Sequence, residues 1–231
     1  MLFHTWPFFI FLLIVLPAFF ALRKTRLWVP WLMIASYFFY GWWNPYYLIL
    51  IFYSSTLDFV VVTLMDHCPR EEKRIGLLAR LTRPRFEDRA LTTTFLVSVV
   101  GLLTVLGMAL AGPATLRPTM GMLAFILTMM ATGAFFHHRR TWLVISIVNN
   151  LIVLMFFKYA RFVVENLNAV LGWVHVPASL PDPSALMPLG AAYLLPVGIS
   201  FYTFQSMSYT IDFYRNDVHR ERSFIRYLTF V

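Results

Sequence analysis

The sequence predicts an all-α polytopic membrane protein of about seven membrane-spanning helices, N-terminus outside, with an additional interfacial helix. Three observations predict this class. Hydrophobic residues make up 59% of the 231 and charged residues 13%, too few charges to solvate the surface of a water-soluble domain of this size. The apolar residues are gathered into runs whose length matches the ~20 residues a helix needs to cross ~30 Å of hydrocarbon, and backbone satisfaction in lipid excludes open sheets. Finally, sixteen of the nineteen Lys and Arg fall on alternate connections between those runs, the pattern that membrane topology imposes on short loops.

Taken in order, the apolar segments are Phe8–Leu22, Leu27–Trp43, Tyr46–Leu64, Leu91–Leu110, Met120–Phe136, Thr141–Phe157 and about Ala191–Tyr214. The first has no basic flank before it and no small-residue cleavage site after it, so it reads as a retained span and not a signal peptide. Pro17 inside it is a kink that lipid-buried helices tolerate. The second and third are joined by the turn Gly41-Trp42-Trp43-Asn44-Pro45-Tyr46-Tyr47, rich in the aromatic residues that prefer the membrane interface. Residues 65–90 form a basic loop in which Glu71, Glu72, Glu87 and Asp88 are mixed among arginines. It sets topology, with contact to anionic lipid as the functional alternative. Residues 91–140 hold a hairpin of two spans. After the sixth segment, Phe162, Val163, Leu167, Val170 and Leu171 form an apolar stripe with Glu165, Asn166 and Asn168 off it, which suggests a helix lying along the outer surface. Four prolines between His175 and Pro188 mark an outer loop. The final element, Phe224–Val231, breaks off in mid-pattern, so the bundle is expected to be incomplete.

This organises the chain as three spans (1–64), a cytoplasmic basic loop (65–90), a hairpin (91–140) and a last block of helices (141–231). With the basic connections on the cytoplasmic side, the N-terminus points outward.

Several function classes drop out. The net charge of +8 and pI near 9.9 would suit nucleic acid, but the cations are dispersed over short loops and form no continuous surface. Cys68, the one cysteine, cannot form an internal disulfide. The six histidines are scattered, with none in metal-ligand spacing, so no metal site is expected. There is no phosphate loop or Gly-rich nucleotide fingerprint.

Polar groups inside spans are costly and each needs a reason. Asp58 lies in the third span with Ser54 and Ser55 four and three residues before it, on its own helix face. Asn149 and Asn150 lie in the sixth span. All are read either as clamps between helices or as lining of a substrate path. In the last span Gln205, Ser208 and Asp212 fall on one stripe, while Thr203, Ser206 and Thr210 make a second on nearly the opposite face. A helix polar on two faces belongs inside a bundle, where one face packs and the other is free to line a cavity.

Four stretches carry a resemblance. They are the opening Met1-Leu2-Phe3; the run from Ser36 to Tyr47; Asn150-Leu151 with Phe157-Lys158-Tyr159 and Asn166-Leu167-Asn168; and Leu195 to Gln205 running on through Ser208-Tyr209 to Ile211-Asp212-Phe213-Tyr214-Arg215. Together they resemble the membrane-bound O-acyltransferase (MBOAT) family, in its bacterial alginate O-acetyltransferase-like branch. The resemblance covers 1–64 and about 141–231, and 91–136 is an extra hairpin relative to it. It implies a multi-pass protein of a bacterial inner membrane that moves an acyl group, typically acetyl, from a cytoplasmic thioester donor such as acetyl-CoA to hydroxyls of an extracytoplasmic polysaccharide. A periplasmic partner acetyltransferase is the implied recipient in this branch. The family's catalytic histidine follows a Phe-Pro-rich motif expected past Val231, so no catalytic residue is carried over to this chain. Gln205, Ser208 and Asp212 are the candidates for tunnel lining, with Lys158 and Tyr159 at its outer mouth. The alternative reading is a non-catalytic scaffold or remnant in an exopolysaccharide-modifying complex.

Overall fold

The structure, a computed structural model, describes residues 5–42, 44–68, 89–113, 116–133, 138–175, 178–187 and 193–231, and of 89–93 only the backbone. His4, His137 and most of the basic loop lie outside these residues. Among the described residues there is no strand, and the all-α membrane architecture expected from the apolar runs is what forms. The helices are α1 (Trp6–Leu22), α2 (Trp28–Gly41), α3 (Leu48–Asp66), α4 (Arg89–Ala111), α5 (Arg117–Thr132), α6 (Arg139–Trp173), α7 (Ile199–Arg215) and α8 (Phe224–Phe230), with short 3-10 turns at Pro45–Tyr47 and Pro183–Leu186. Among the described residues, three stretches are long and apolar enough to cross a membrane: Pro45–Asp66, Thr94–Ala111 and Arg139–Trp173.

The hub is α3. It packs against α2, α5, α6, α7 and α8, and 61% of its apolar window is buried, against 11% for Thr94–Ala111 in α4. That contrast separates a helix inside the bundle from one whose apolar surface is left for lipid. The α4/α5 hairpin joins the rest through α5, which lies on α3. Gly133 makes the approach possible: a Cβ there would collide with a methyl of Leu64 on α3. Two apolar cores result. One gathers Leu57, Val61 and Met65 of α3 with Ile126, Met129, Trp142 and Phe213. The other gathers Tyr47, Leu50 and Ile51 with Leu154, Phe157, Ile199 and Tyr202.

Two expectations about element boundaries are corrected. The sequence suggested a span ending at Phe157 followed by a separate interfacial helix, whereas α6 runs unbroken through 35 residues, about 52 Å at 1.5 Å per residue. No Pro or Gly interrupts it before Gly172, so nothing in the backbone favours a break. The expected apolar stripe sits on its distal half and is open, with Phe162 65% and Val170 53% exposed. The apolar pattern places the start of the last long segment at about Ala191, yet α7 begins only at Ile199. Pro196 cannot donate a backbone hydrogen bond, and Gly198 takes φ +75°, a left-handed conformation open to glycine at little cost. The stretch 193–198 therefore stays non-helical. Tyr47 holds it: its hydroxyl donates to the Leu194 carbonyl at 2.9 Å and accepts from the Leu194 N–H at 2.9 Å. One side chain thus supplies both hydrogen bonds that a neighbouring strand would. Tyr47→Phe is expected to lower stability by roughly 1–2 kcal/mol and to speed hydrogen exchange at the Leu194 amide. A mutant with wild-type exchange there would show that the tyrosine does not hold the segment.

Candidate functional site

Asp58 is the centre of the polar interior. It sits mid-way along α3 with no exposed surface, and its partners are not the serines of its own helix. Ser54 and Ser55 share its burial, but the donors to the carboxylate come from two other helices. Ser146 Oγ of α6 donates to Oδ1 at 2.5 Å. One turn on, Asn150 Nδ2 donates to Oδ1 at 3.0 Å and to Oδ2 at 2.8 Å. Ser206 of α7 donates to Oδ2. Ser206 Oγ also lies 2.8 Å from the Tyr227 hydroxyl of α8. A serine has one proton to give. Since Ser206 gives it to Asp58, Tyr227 must be the donor to Ser206. The result is a directed chain, Tyr227 to Ser206 to Asp58, met from the other side by Ser146 and Asn150. It draws together α3, α6, α7 and α8, with Ser146, Asn150 and Ser206 fully buried and Tyr227 1% exposed. No Lys, Arg or His side chain donates to Asp58 among the described residues; hydroxyls and an amide alone satisfy it.

The surroundings of this knot are polar and buried. The hydroxyls of Ser54 and Thr203 and the Oδ1 of Asn150 are buried without a hydrogen-bond partner among the described residues. Asn149 takes a different neighbour: Tyr53 Oη donates to its Oδ1 at 2.8 Å. Of the expected intramembrane polar residues, then, Asp58 and Asn150 meet directly, and Asn149 forms a second clamp between the same two helices.

The tunnel candidates are placed apart from the knot. Thr203, Ser206 and Thr210 form the stripe of α7 that is fully buried. Gln205 and Asp212, on the other stripe, are half-buried, and Ser208 is exposed. Gln205 Nε2 donates to the carbonyl of Phe230 at the end of α8, and Ser208 Oγ donates to the Gln205 carbonyl at 2.9 Å. Lys158 and Tyr159 are both exposed on α6. They stand near an aromatic cluster at that level, where Phe157 and Tyr193 stack at 6.1 Å and the Arg161 guanidinium lies 5.4 Å from the Tyr193 ring. In the proline-containing loop after α6, hydrogen bonds from Ser184 hold the Asp182 carboxyl below the ordinary carboxylate range. No group of three or more His, Cys, Asp or Glu gathers among the described residues.

Three contributors were not singled out from the sequence. Ser146 lies four residues before Asn150 and so shares its face, a signal that was available. Tyr227 sits in the last short element, where no periodicity could place it. Arg139 reads in the sequence as a topology charge, yet it is 8% exposed. It donates to Asn216 Oδ1 at 3.1 Å and to the Phe213 carbonyl at 3.0 Å, with its guanidinium 5.4 Å from the Phe213 ring and 5.7 Å from that of Tyr214. It thereby completes the C-terminal cap of α7, where Asn216 turns left-handed at φ 67°.

These features define a class: a helical membrane protein whose central span is tied to its neighbours through one buried carboxylate. Comparison with known proteins narrows it. Over 101 residues the chain is 39% identical to the probable alginate O-acetylase AlgI of Azotobacter vinelandii and to that of Pseudomonas aeruginosa, a stretch that is 44% of this chain and 18% of each relative. Over 38 residues it is 55% identical to AlgI of Pseudomonas fluorescens, covering 16% of this chain and 8% of that one. A stretch of the chain is thus similar to probable alginate O-acetylases, and the match spans less than a fifth of the length of these relatives. No family model matches, and no solved structure matches.

Proposed function

We propose that this chain serves membrane-bound O-acetylation of an extracytoplasmic polysaccharide, with acetyl drawn from a cytoplasmic thioester such as acetyl-CoA. The observation that carries the reading is the 39% identity over 101 residues to proteins named for alginate O-acetylation. The physical task is to bring a reactive acyl group through a hydrocarbon barrier, and it calls for a polar path inside a helical bundle. About seven spans with the N-terminus outside, in a bacterial inner membrane, would provide the two faces the transfer needs. The geometry of α7 is compatible with that task. Its Thr203–Ser206–Thr210 stripe is committed to the core, which leaves Gln205, Ser208 and Asp212 as the stripe available to line a path. Lys158 and Tyr159 are placed at its outer mouth in this reading. A periplasmic acetyltransferase is the proposed partner that hands the group on to the polymer.

The test is the O-acetyl content of exopolysaccharide from cells with the gene deleted and then restored. Deletion is expected to abolish or strongly reduce acetylation; unchanged acetylation would sink the reading and leave a scaffold. Alanine at Gln205, Ser208 or Asp212 should lower acetylation while the protein still accumulates in the membrane, and full activity in all three would remove them from the path.

A further inference from the structure

We propose that the groove between α2, the Pro45–Tyr47 turn, α3 and α8 is a seat for one acyl chain of a bilayer phospholipid, drawn from the leaflet on the side of the Gly41–Tyr47 turn. The groove has a volume of about 620 Å³ and is lined by Met33, Tyr37, Trp42, Leu48, Phe52 and Leu228 among others. That lies within the ~300–1,000 Å³ typical of clefts that hold small ligands. Its walls offer almost nothing polar, since the one hydroxyl among these residues, on Tyr37, is itself buried.

Three observations select the occupant. The first is depth. From Met33 to Trp42 at its C-cap the groove follows α2 over nine steps, about 14 Å at 1.5 Å per residue, close to half of the ~30 Å hydrocarbon thickness. It starts at a turn of Trp, Asn, Pro and Tyr residues, the chemistry of the headgroup boundary, and its length is about that of one leaflet. The second is continuity with the lipid-facing surface. Ile34 and Phe38 of α2 are 58% and 53% exposed, and Trp42 and Phe52 are 55% and 49% exposed. These residues are both groove lining and outer surface, so the groove opens sideways into the tails. The third is that the walls are almost wholly apolar, the exceptions being the buried Tyr37 hydroxyl and the Trp42 indole N–H. An extended peptide lying there would need partners for its backbone groups, whereas a hydrocarbon chain needs none. The groove is also held in shape. The Thr229 hydroxyl of α8, which donates to the Ile225 carbonyl of its own helix at 2.8 Å, lies 3.4 Å from the Val29 carbonyl of α2. Phe224 sets its ring edge-on to Phe52 at 5.8 Å. Gly41 lies so close to Leu48 that a Cβ would come within 2.9 Å of its methyl. This inference does not depend on the acetylation reading, because it concerns the bilayer and not a substrate.

The test is photolabelling of the protein in vesicles of phosphatidylethanolamine and phosphatidylglycerol containing a phosphatidylcholine with a diazirine on one acyl chain. Labelling is mapped along the chain and compared with α4, whose Val97 and Leu103 are 68% and 64% exposed to the same tails. The expected result is several-fold heavier labelling of the 33–42 and Phe52 regions than of α4, reduced to the α4 level when Ile34→Trp fills the groove, with α4 labelling unchanged. Equal labelling of groove and α4 would mean ordinary contact with lipid and overturn the proposal. An unlabelled groove beside a labelled α4 would mean that protein covers it, which overturns the proposal equally. Ile34→Trp labelled like the wild type would do the same.

Discussion

Asp58→Ala is expected to be the most damaging single substitution in the chain, lowering stability by on the order of 3 kcal/mol. The carboxylate receives Ser146, Asn150 and Ser206 from two other helices. Its removal takes the acceptor from the buried Ser146 and Ser206 hydroxyls and leaves the Asn150 amide with the Ser146 carbonyl at 3.1 Å as its main acceptor. Each orphan costs ~1–3 kcal/mol in a protein core. Hydrogen bonds between membrane helices average nearer 0.6 kcal/mol, because the separated helices also find partners, which keeps the sum from reaching the upper bound. Asp58→Asn should fall between alanine and wild type. It keeps one acceptor oxygen but turns an NH2 donor toward donors. The order Ala below Asn below wild type, read as thermal midpoints in mild detergent by tryptophan fluorescence, is the expected outcome. An alanine variant that melts with the wild type would show that the knot does not hold the bundle together.

Arg139→Met is the second large effect, with an expected loss on the order of 2 kcal/mol. The side chain spans from the start of α6 to the end of α7, where its fork meets both the Asn216 side chain and the Phe213 carbonyl. Phe213 O also accepts from the Asn216 N–H at 3.1 Å, so one guanidinium supports the left-handed cap and the helix end together. Methionine keeps the apolar stem against the rings of Phe213 and Tyr214 but supplies no donors. Lysine is expected to recover little, because a single ammonium cannot reproduce a planar two-pronged contact. Hydrogen exchange over 212–217 should rise in both variants. Restoration by lysine would show that charge alone suffices and that the fork geometry is immaterial.

Arg139 also illustrates what a sequence leaves undecided. Its position beside Arg140 at the start of an apolar run is what topology rules describe, and Arg140 is indeed exposed. Only the approach of the α7 end turns its neighbour into a buried cap. The same holds for the two stripes of α7. Helical phase separates Thr203, Ser206 and Thr210 from Gln205, Ser208 and Asp212. Phase is a property of one helix, however, and cannot say which face the neighbours take. The sequence likewise marks Asp58 and Asn150 as costly intramembrane groups, but they lie 92 positions apart, and no local pattern joins them.

By itself, then, the sequence determined what depends on local composition and backbone chemistry. It gave the all-α membrane class from runs of apolar residues, the aromatic turn at 41–47, and the polar residues that had to be satisfied inside. It also holds the signals for two boundaries: Pro196 and Gly198 delay α7, and the absence of Pro and Gly before Gly172 lets α6 run on through 35 residues. The tertiary structure alone decided which helix is the hub, which stripe of α7 faces it, and that Tyr227 and Ser206 finish the coordination of Asp58. The physical reason is that a hydrogen bond between helices rewards proximity created by packing of the whole bundle, and that proximity is encoded in no single segment.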